Sequence, residues 1–204
     1  MRRALQVRLT GRFAELLPLT RDDVPGLLSA ANEDRSSYGY THVPETRAEM
    51  EGVVRRLLME QDDGTSVPLT TRDKDSGAIV GMTRFLTLRW SSDSATLDAV
   101  EIGGTFLAAR AQGTKINPDA KYLMLEHAFE RWAVQRVDLK TDERNEQSRR
   151  AIERLGARFE GVLRCWQPSL VKGEEGTFRN SAMYSILPSE WPDVRARLHD
   201  RLTC

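Results

Sequence analysis

The sequence predicts a single α/β (α+β) domain built on a mixed β-sheet. Three observations carry that expectation. Stretches of period-two alternation interchange with stretches of period 3.6, in the order β-α-α-β-β-β-α-β-α-β-β followed by a closing helix. The chain has 204 residues, enough for one full domain with its own core. No internal repeat, linker or low-complexity tract divides it, so residues 1–204 read as one unit.

The elements follow in order. "RFAELLPLT" alternates and runs into Thr20–Asp23, a capping signature, so a strand hands over to a short helix. Thr46-Arg-Ala-Glu49 repeats the signal before a helix whose Met50, Val53, Val54, Leu57 and Leu58 make one apolar stripe. "SVPLTTRDKDSGAIVGMTRFLTL" reads as strand, turn at Asp73–Gly77, strand, and "ATLDAVEIGGTFLA" as another strand. In that strand Glu101, Gly103 and Thr105 share one face, and Val100, Ile102, Gly104 and Phe106 the other. Two successive glycines there suggest a bulge or a close backbone approach. A helix begins with Asn117 as N-cap and Pro118 as first helical residue. "VQRVDLKTD" is a strand, and "NEQSRRAIERLGARFEG" a helix stopped by Gly156. "ARFEGVLRCW" and "FRNSAMYSIL" are late strands, and "PSEWPDVRARLHDRL" closes the chain as a helix.

Composition narrows the function classes. Lys+Arg and Asp+Glu are each 30, a formal net charge of zero, which argues against a nucleic-acid binder working by bulk electrostatics. "MRRALQVRLTG" has two arginines but no apolar run behind them, unlike a signal peptide, and no stretch has membrane-helix length. A cytoplasmic setting is expected. Cys165 and Cys204 lie far apart, and with His42, His127 and His199 they give no zinc-ligand spacing, so no metal is expected.

The stretch "RAQGTKINPDAKYLMLEHAF" joins a donor-rich loop to a helix start. Free amides at a helix N-terminus attract anions, typically phosphate. Gly113 permits close backbone approach, and Arg110 and Lys115 supply charge. An ordinary loop before a well-capped helix explains the same residues equally well. Neither the triphosphate-loop motif nor the dinucleotide G-x-G-x-x-G motif is present.

Arg110-Ala-Gln-Gly113-Thr-Lys115 resembles the Q/R-x-x-G-x-G/A loop of the GNAT acyltransferases. It follows a "VEIG" strand, and "RNEQSRRAIERLGARFEGVLR" resembles the N-x-x-S…L-G-A…E-G-V-L-R segment of the ribosomal-protein N-acetyltransferase (RimJ/RimL-like) type, in which "EWP" also recurs. The resemblance covers roughly Val100 to Trp191. It implies a mostly antiparallel sheet splayed at an acyl-CoA site and flanked by helices. It also implies acetyl-CoA as donor, with its pyrophosphate on the amides of Ala111, Gln112, Gly113, Thr114, Lys115 and Ile116. Phe106, Arg110, Asn117, Asn145 and Arg150 join the cofactor side. The family's second Gly/Ala falls at Lys115, so either Lys115 is strained or the loop has changed path and Lys115 touches phosphate.

Acyl transfer to an amine needs a proton acceptor and stabilisation of the carbonyl oxygen. Glu101 is the candidate general base, acting through water; a carboxylate facing solvent or an arginine is the plain alternative. Ser148 shares an apolar stripe with Ala151, Ile152 and Leu155. The resemblance places it near the CoA sulfur, whereas the plain alternative is a hydroxyl bonding its own helix. Many relatives carry a tyrosine where Ile152 stands, and some carry a carboxylate at the place near Gln167. Asn145 also reads as a helix N-cap, and Arg149 and Arg150 as a solvated face. Tyr38, Tyr40, His42, Trp90 and Trp166 are candidate acceptor-pocket walls, each also explained as an ordinary packed aromatic; His127 reads as structural. The function expected is N-acyl transfer from acetyl-CoA to a primary amine by direct attack, without an acyl-enzyme. The acceptor is a small-molecule amine or a protein N-terminal amine, and a second copy of the chain is a candidate partner. The alternative is a catalytically inactive GNAT-fold module that binds CoA or a partner.

Overall fold

The computed structural model describes residues 5–92 and 96–203. Ala95, where the fourth strand is expected to start, and Cys204 lie outside them. Among the described residues eight strands form one sheet in the order β1-β2-β3-β4-β5-β6-β8-β7. They are β1 Leu9–Thr10, β2 Ala14–Pro18, β3 Ser66–Asp73, β4 Ile79–Trp90, β5 Leu97–Leu107, β6 Arg136–Asp142, β7 Arg158–Pro168 and β8 Phe178–Ile186. All neighbours are antiparallel except β5 and β6. The helices are α1 Val24–Ala31, α2 Arg47–Asp62, α3 Ile116–Glu126, α4 Glu146–Leu155 and α5 Trp191–Thr203.

Local signals set the boundaries. A 3-10 turn over Arg21–Asp23 leads into α1, and the Asp23 carboxylate accepts from the Thr20 amide at 2.9 Å. Thr46 caps α2: its hydroxyl accepts from the Glu49 amide at 3.3 Å, and the Glu49 carboxylate accepts from the Thr46 amide at 3.2 Å. Gly156 ends α4 at φ 98°, the left-handed stop that glycine adopts without strain.

The sheet carries two cores. On one face Leu16, Leu69, Phe85, Val100, Ile102 and Leu139 meet Met124 and Leu125 of α3, Ile152 and Leu155 of α4, and Val194 and Leu198 of α5. On the other, Met82 and Phe106 meet Leu27 and Ala30 of α1 and Met50, Val54 and Leu57 of α2. Beyond β5 this second face turns polar, with Glu101, Asp138, Lys140, Asp142 and Arg179 all held on it or close to it.

Two sequence expectations change here. Between Met82/Arg84 on β4 and Phe106/Gly103 on β5 the register gains one residue, a bulge at Gly104, whose φ is +58°. The side-chain alternation therefore slips. Phe106 lies on the α1–α2 face with Glu101, and Thr105 turns to the α3 face, the reverse of the unbroken alternation read from sequence. The glycine pair marks the bulge, and the residue inserted there reverses the parity of the side chains beyond it. The second change concerns α3, which starts at Ile116 with Lys115 as N-cap, so Asn117 and Pro118 are interior to its first turn. Pro118 fits there because its missing N–H falls among the first-turn amides that have no intrahelical acceptor.

Candidate active site

β5 and β6 pair over only three positions, Ala99↔Arg136, Val100↔Val137 and Glu101↔Asp138. β5 then runs on to Leu107 and β6 to Asp142 without pairing each other. The two strands thus open a wedge in mid-sheet, which frees backbone donors and acceptors along both edges. The wedge points toward the loop that links β5 to α3.

That loop begins with a 3-10 turn, Ala109–Ala111, and reverses at Gly113, whose φ is +72° and whose missing Cβ would face open space. The Ala111 and Gln112 amides are used within the turn, and the Ile116 amide donates to Thr114 Oγ1 at 3.2 Å. The amides of Gly113, Thr114 and Lys115 find no protein acceptor among the described residues. Three consecutive free donors ahead of a helix N-terminus form a cradle for an anion.

The side chains around the cradle are committed elsewhere. Arg110 pairs with Glu33 at the end of α1, and its amide donates to the same carboxylate at 2.8 Å, so it anchors the loop instead of meeting phosphate as expected. Gln112 Nε2 donates to Ser37 Oγ and to the Leu107 carbonyl, both at 2.8 Å. Lys115 has φ −74° and carries no left-handed strain. Its Nζ lies by the Leu202 carbonyl at 3.5 Å and the Phe13 ring, so the strained reading of Lys115 does not hold. The backbone, not the cations, faces the cradle.

At the root of the wedge lies Glu101, 5% exposed. Its Oε2 accepts from Lys140 Nζ at 2.8 Å and Thr87 Oγ1 at 3.3 Å. The plain expectation of a solvent-facing or arginine-paired carboxylate is thus replaced by a buried one paired to lysine. Ser148 stands in the first turn of α4, half-buried, and its hydroxyl makes no hydrogen bond with any described residue, so it does not back-bond to its own helix. Asn145 caps that helix, its Oδ1 accepting from the Ser148 amide at 3.0 Å. Arg149 is held by Tyr184 Oη at 3.0 Å, and Arg150 makes an exposed pair with Glu146.

The proposed pocket aromatics do not form one cluster. Tyr38 packs edge-on to Phe106 at 6.3 Å and donates from Oη to the Leu107 carbonyl at 2.8 Å, so it borders the wedge. Tyr40 lies under the Arg144 guanidinium at 5.3 Å. Trp90 pairs with Leu97 at the opposite end of β4–β5, roughly 30 Å along the strand from Leu107. It packs on the α3-side core and does not join the others. Trp166 is 52% exposed on the edge strand β7. His42 is exposed, and His127 packs between Phe85 and Trp132, its pKa lowered by burial and by Arg131.

Sequence reasoning missed the polar floor beyond Glu101. Lys140 and Asp142 alternate in "VDLKTD" with Asp138, so period two already placed all three on one face. Asp142 is fully buried; burial pushes its pKa up, but Arg144 holds it below the usual range. Arg144 donates to Asp142 Oδ1 from Nε at 3.0 Å and to Oδ2 from Nη2 at 2.8 Å, and to Glu174 at 2.7 and 3.0 Å. It thereby joins the β6–α4 loop, the β7–β8 loop and, through Tyr40, the α1–α2 loop. Arg179 at the start of β8 is 9% exposed, and burial lowers its pKa, with Asp142 and Glu101 acting against that.

Residues 14–158 match the family model described as the acetyltransferase (GNAT) domain. No curated protein matches the chain. Among solved structures, a GCN5-related N-acetyltransferase from Brucella melitensis superposes with TM-score 0.83 at 25% identity, covering 97% of this chain and 86% of that one. A T. thermophilus protein assigned as an acetyltransferase is 33% identical with TM-score 0.80, covering 98% of this chain and 99% of that one. RimJ of Mycobacterium smegmatis, solved in complex with CoA-disulfide, shares the fold with TM-score 0.80 at 19% identity, covering 98% and 97%. With its wedge, its amide cradle and a family match over more than half its length, the chain belongs to the GNAT acetyltransferase family.

Proposed function

We propose that the protein is an acyl-CoA-dependent N-acyltransferase, in its simplest form a RimJ/RimL-like N-acetyltransferase that moves acetyl from acetyl-CoA to a primary amine. The observation that carries this reading is the wedge between β5 and β6, with its root at Glu101 and its mouth at the Gly113–Lys115 amides. The cradle fits a pyrophosphate: its donors are unsatisfied, and the space beside Gly113 is open. Acetyl-CoA supplies the activated acyl group.

The residues then divide the work. Gly113, Thr114 and Lys115 bind through backbone N–H groups. Free strand amides on the unpaired edge of β5 are available to a carbonyl oxygen as charge develops on it. Glu101 accepts the proton of the attacking amine through water, and Lys140 and Thr87 hold its carboxylate in place. Ser148, whose hydroxyl is uncommitted, donates toward the departing sulfur. Ile152, buried in the α4 core, offers no acid of its own. The C–N bond forms as the C–S bond breaks, with no covalent acyl-enzyme.

One observation favours a second reading, a CoA-binding module without turnover: the Lys140 ammonium already engages the Glu101 carboxylate before any amine arrives. Calorimetric titration with CoA, followed by a mass-spectrometric screen of amines with acetyl-CoA, decides between the two. CoA binding with acylated product supports the enzyme. CoA binding without product across amino acids, polyamines and peptide N-termini supports the module. Absence of CoA binding overturns both.

A further inference from the structure

We propose that Arg179 recognises a carboxylate on the molecule bound beside Glu101, so that the acceptor is an amine carrying a carboxylate, such as an α-amino acid; this deepens the acyl-transfer reading and rests on it. Arg179 faces the polar half of the sheet, with Gln167 as its register partner on β7. It is 9% exposed yet makes no ion pair with any described residue. With the Gln167 amide turned so that its oxygen faces the guanidinium, that oxygen accepts from Nε at 3.2 Å and Nη2 at 2.8 Å. Nη1 has no acceptor among the described residues.

A guanidinium held by one neutral amide keeps N–H donors free on its open side for an incoming anion. The neighbouring carboxylates do not close on it. Asp142 has both oxygens taken by Arg144, and Glu101 is taken by Lys140 and Thr87. Both act on Arg179 electrostatically without reaching ion-pair distance. A second group nearby is also unpartnered. Ser181, two residues along the same face and fully buried, has an Oγ with no hydrogen bond. A planar carboxylate satisfies a guanidinium's free N–H groups and can also accept from a hydroxyl. Glu101, the proposed proton acceptor, lies on this same polar face, and its charge acts on Arg179.

The test uses the full chain with CoA bound. Amino acids are compared with their α-amides and with the corresponding decarboxylated amines, by calorimetry for binding and by mass spectrometry for turnover. The expected result is tighter binding and a higher kcat/KM for the acid over its amide. In Arg179→Gln that preference falls about 10–100-fold, the range of a charge-assisted pair, while CoA affinity is retained and reports an intact fold. Arg179→Lys restores part of the preference, and Ser181→Ala loses a few-fold. A parallel comparison of succinyl-CoA with acetyl-CoA locates the carboxylate: an Arg179-dependent preference for the succinyl donor assigns it to the acyl group and overturns the acceptor assignment. Carboxylate-dependent binding without turnover would leave carboxylate recognition by Arg179 standing and remove the acyl-transfer reading, and with it the acceptor assignment. Wild-type protein that treats acid and amide alike in both assays, and both donors alike, overturns it, as does a preference untouched in Arg179→Gln.

Discussion

Glu101 sits where β5 leaves β6, and its neighbours define what it can do. A carboxylate 5% exposed and paired with Lys140 is fixed in place, with its charge matched before substrate arrives. Catalysis then depends on the acceptor amine giving up its proton through water as the C–N bond forms. Glu101→Gln preserves shape and hydrogen bonding and removes the acceptor of that proton. The expected kcat falls by ~10²–10⁴-fold, with CoA affinity nearly unchanged because the cradle lies at the other end of the wedge. The loss should shrink at high pH, where more amine arrives neutral. A variant with the parent rate and pH profile would remove Glu101 from the chemistry. The sequence placed Glu101 in the right strand, because a strand with a glycine pair is locally legible. It did not show Lys140 or Thr87 beside it, since these come from two other strands and meet it only through sheet pairing.

Elements were read more securely than the contacts between them. Capping boxes, the Gly156 stop and the Asp73–Gly77 turn are local physics, and each lies where the sequence put it. The α3 start was misplaced because Asn-Pro is a strong local signal, whereas Thr114, bonded to both the Ala111 carbonyl and the Ile116 amide, closes the turn earlier. Arg110 and Lys115 looked like phosphate ligands because their partners, Glu33 and the C-terminal helix, are distant in sequence. The loop's role therefore rests on its backbone. Gly113→Val forces a β-branched residue to leave φ +72°, which redirects the three free amides without a clash in the core. CoA affinity should drop at least about 10-fold by calorimetry, the scale of losing about one charge-assisted hydrogen bond, with thermal stability little changed; unchanged affinity would take the loop out of the site. Arg144 joins three loops over the polar floor, so Arg144→Ala should raise amide hydrogen exchange in the β7–β8 loop and near Tyr40 together. Exchange rising in only one of them would show that the loops are not coupled through this side chain.

At the scale of the whole molecule, the two faces of the sheet treat charge differently. The open face gathers most of its acids and bases into mutual pairs, Arg179 apart, whereas the covered face buries a lysine with no counterion among the described residues. Lys121 on α3 is 6% exposed and donates only to Thr83 Oγ1 and Thr105 Oγ1, each at 2.8 Å, directly beneath the Gly104 bulge. Burial lowers its pKa to about 7. Global stability should therefore depend on pH through this residue. In the unfolded chain the lysine holds its proton up to its ordinary value near 10.4. In the folded protein it has lost it above about 7. Between those values the unfolded state binds more protons, so stability rises with pH, by up to roughly 1.4 kcal/mol per unit. Lys121→Met fills the same space, and the Thr83 and Thr105 hydroxyls, 2.8 Å apart, can still bond each other. The variant lacks the titration. Comparing the two proteins cancels every other ionisable group, so the parent Tm should gain roughly 4–9 °C on the variant between pH 7 and pH 9. Parallel curves would mean that Lys121 stays protonated inside the fold, with its charge met by solvent that reaches the bulge.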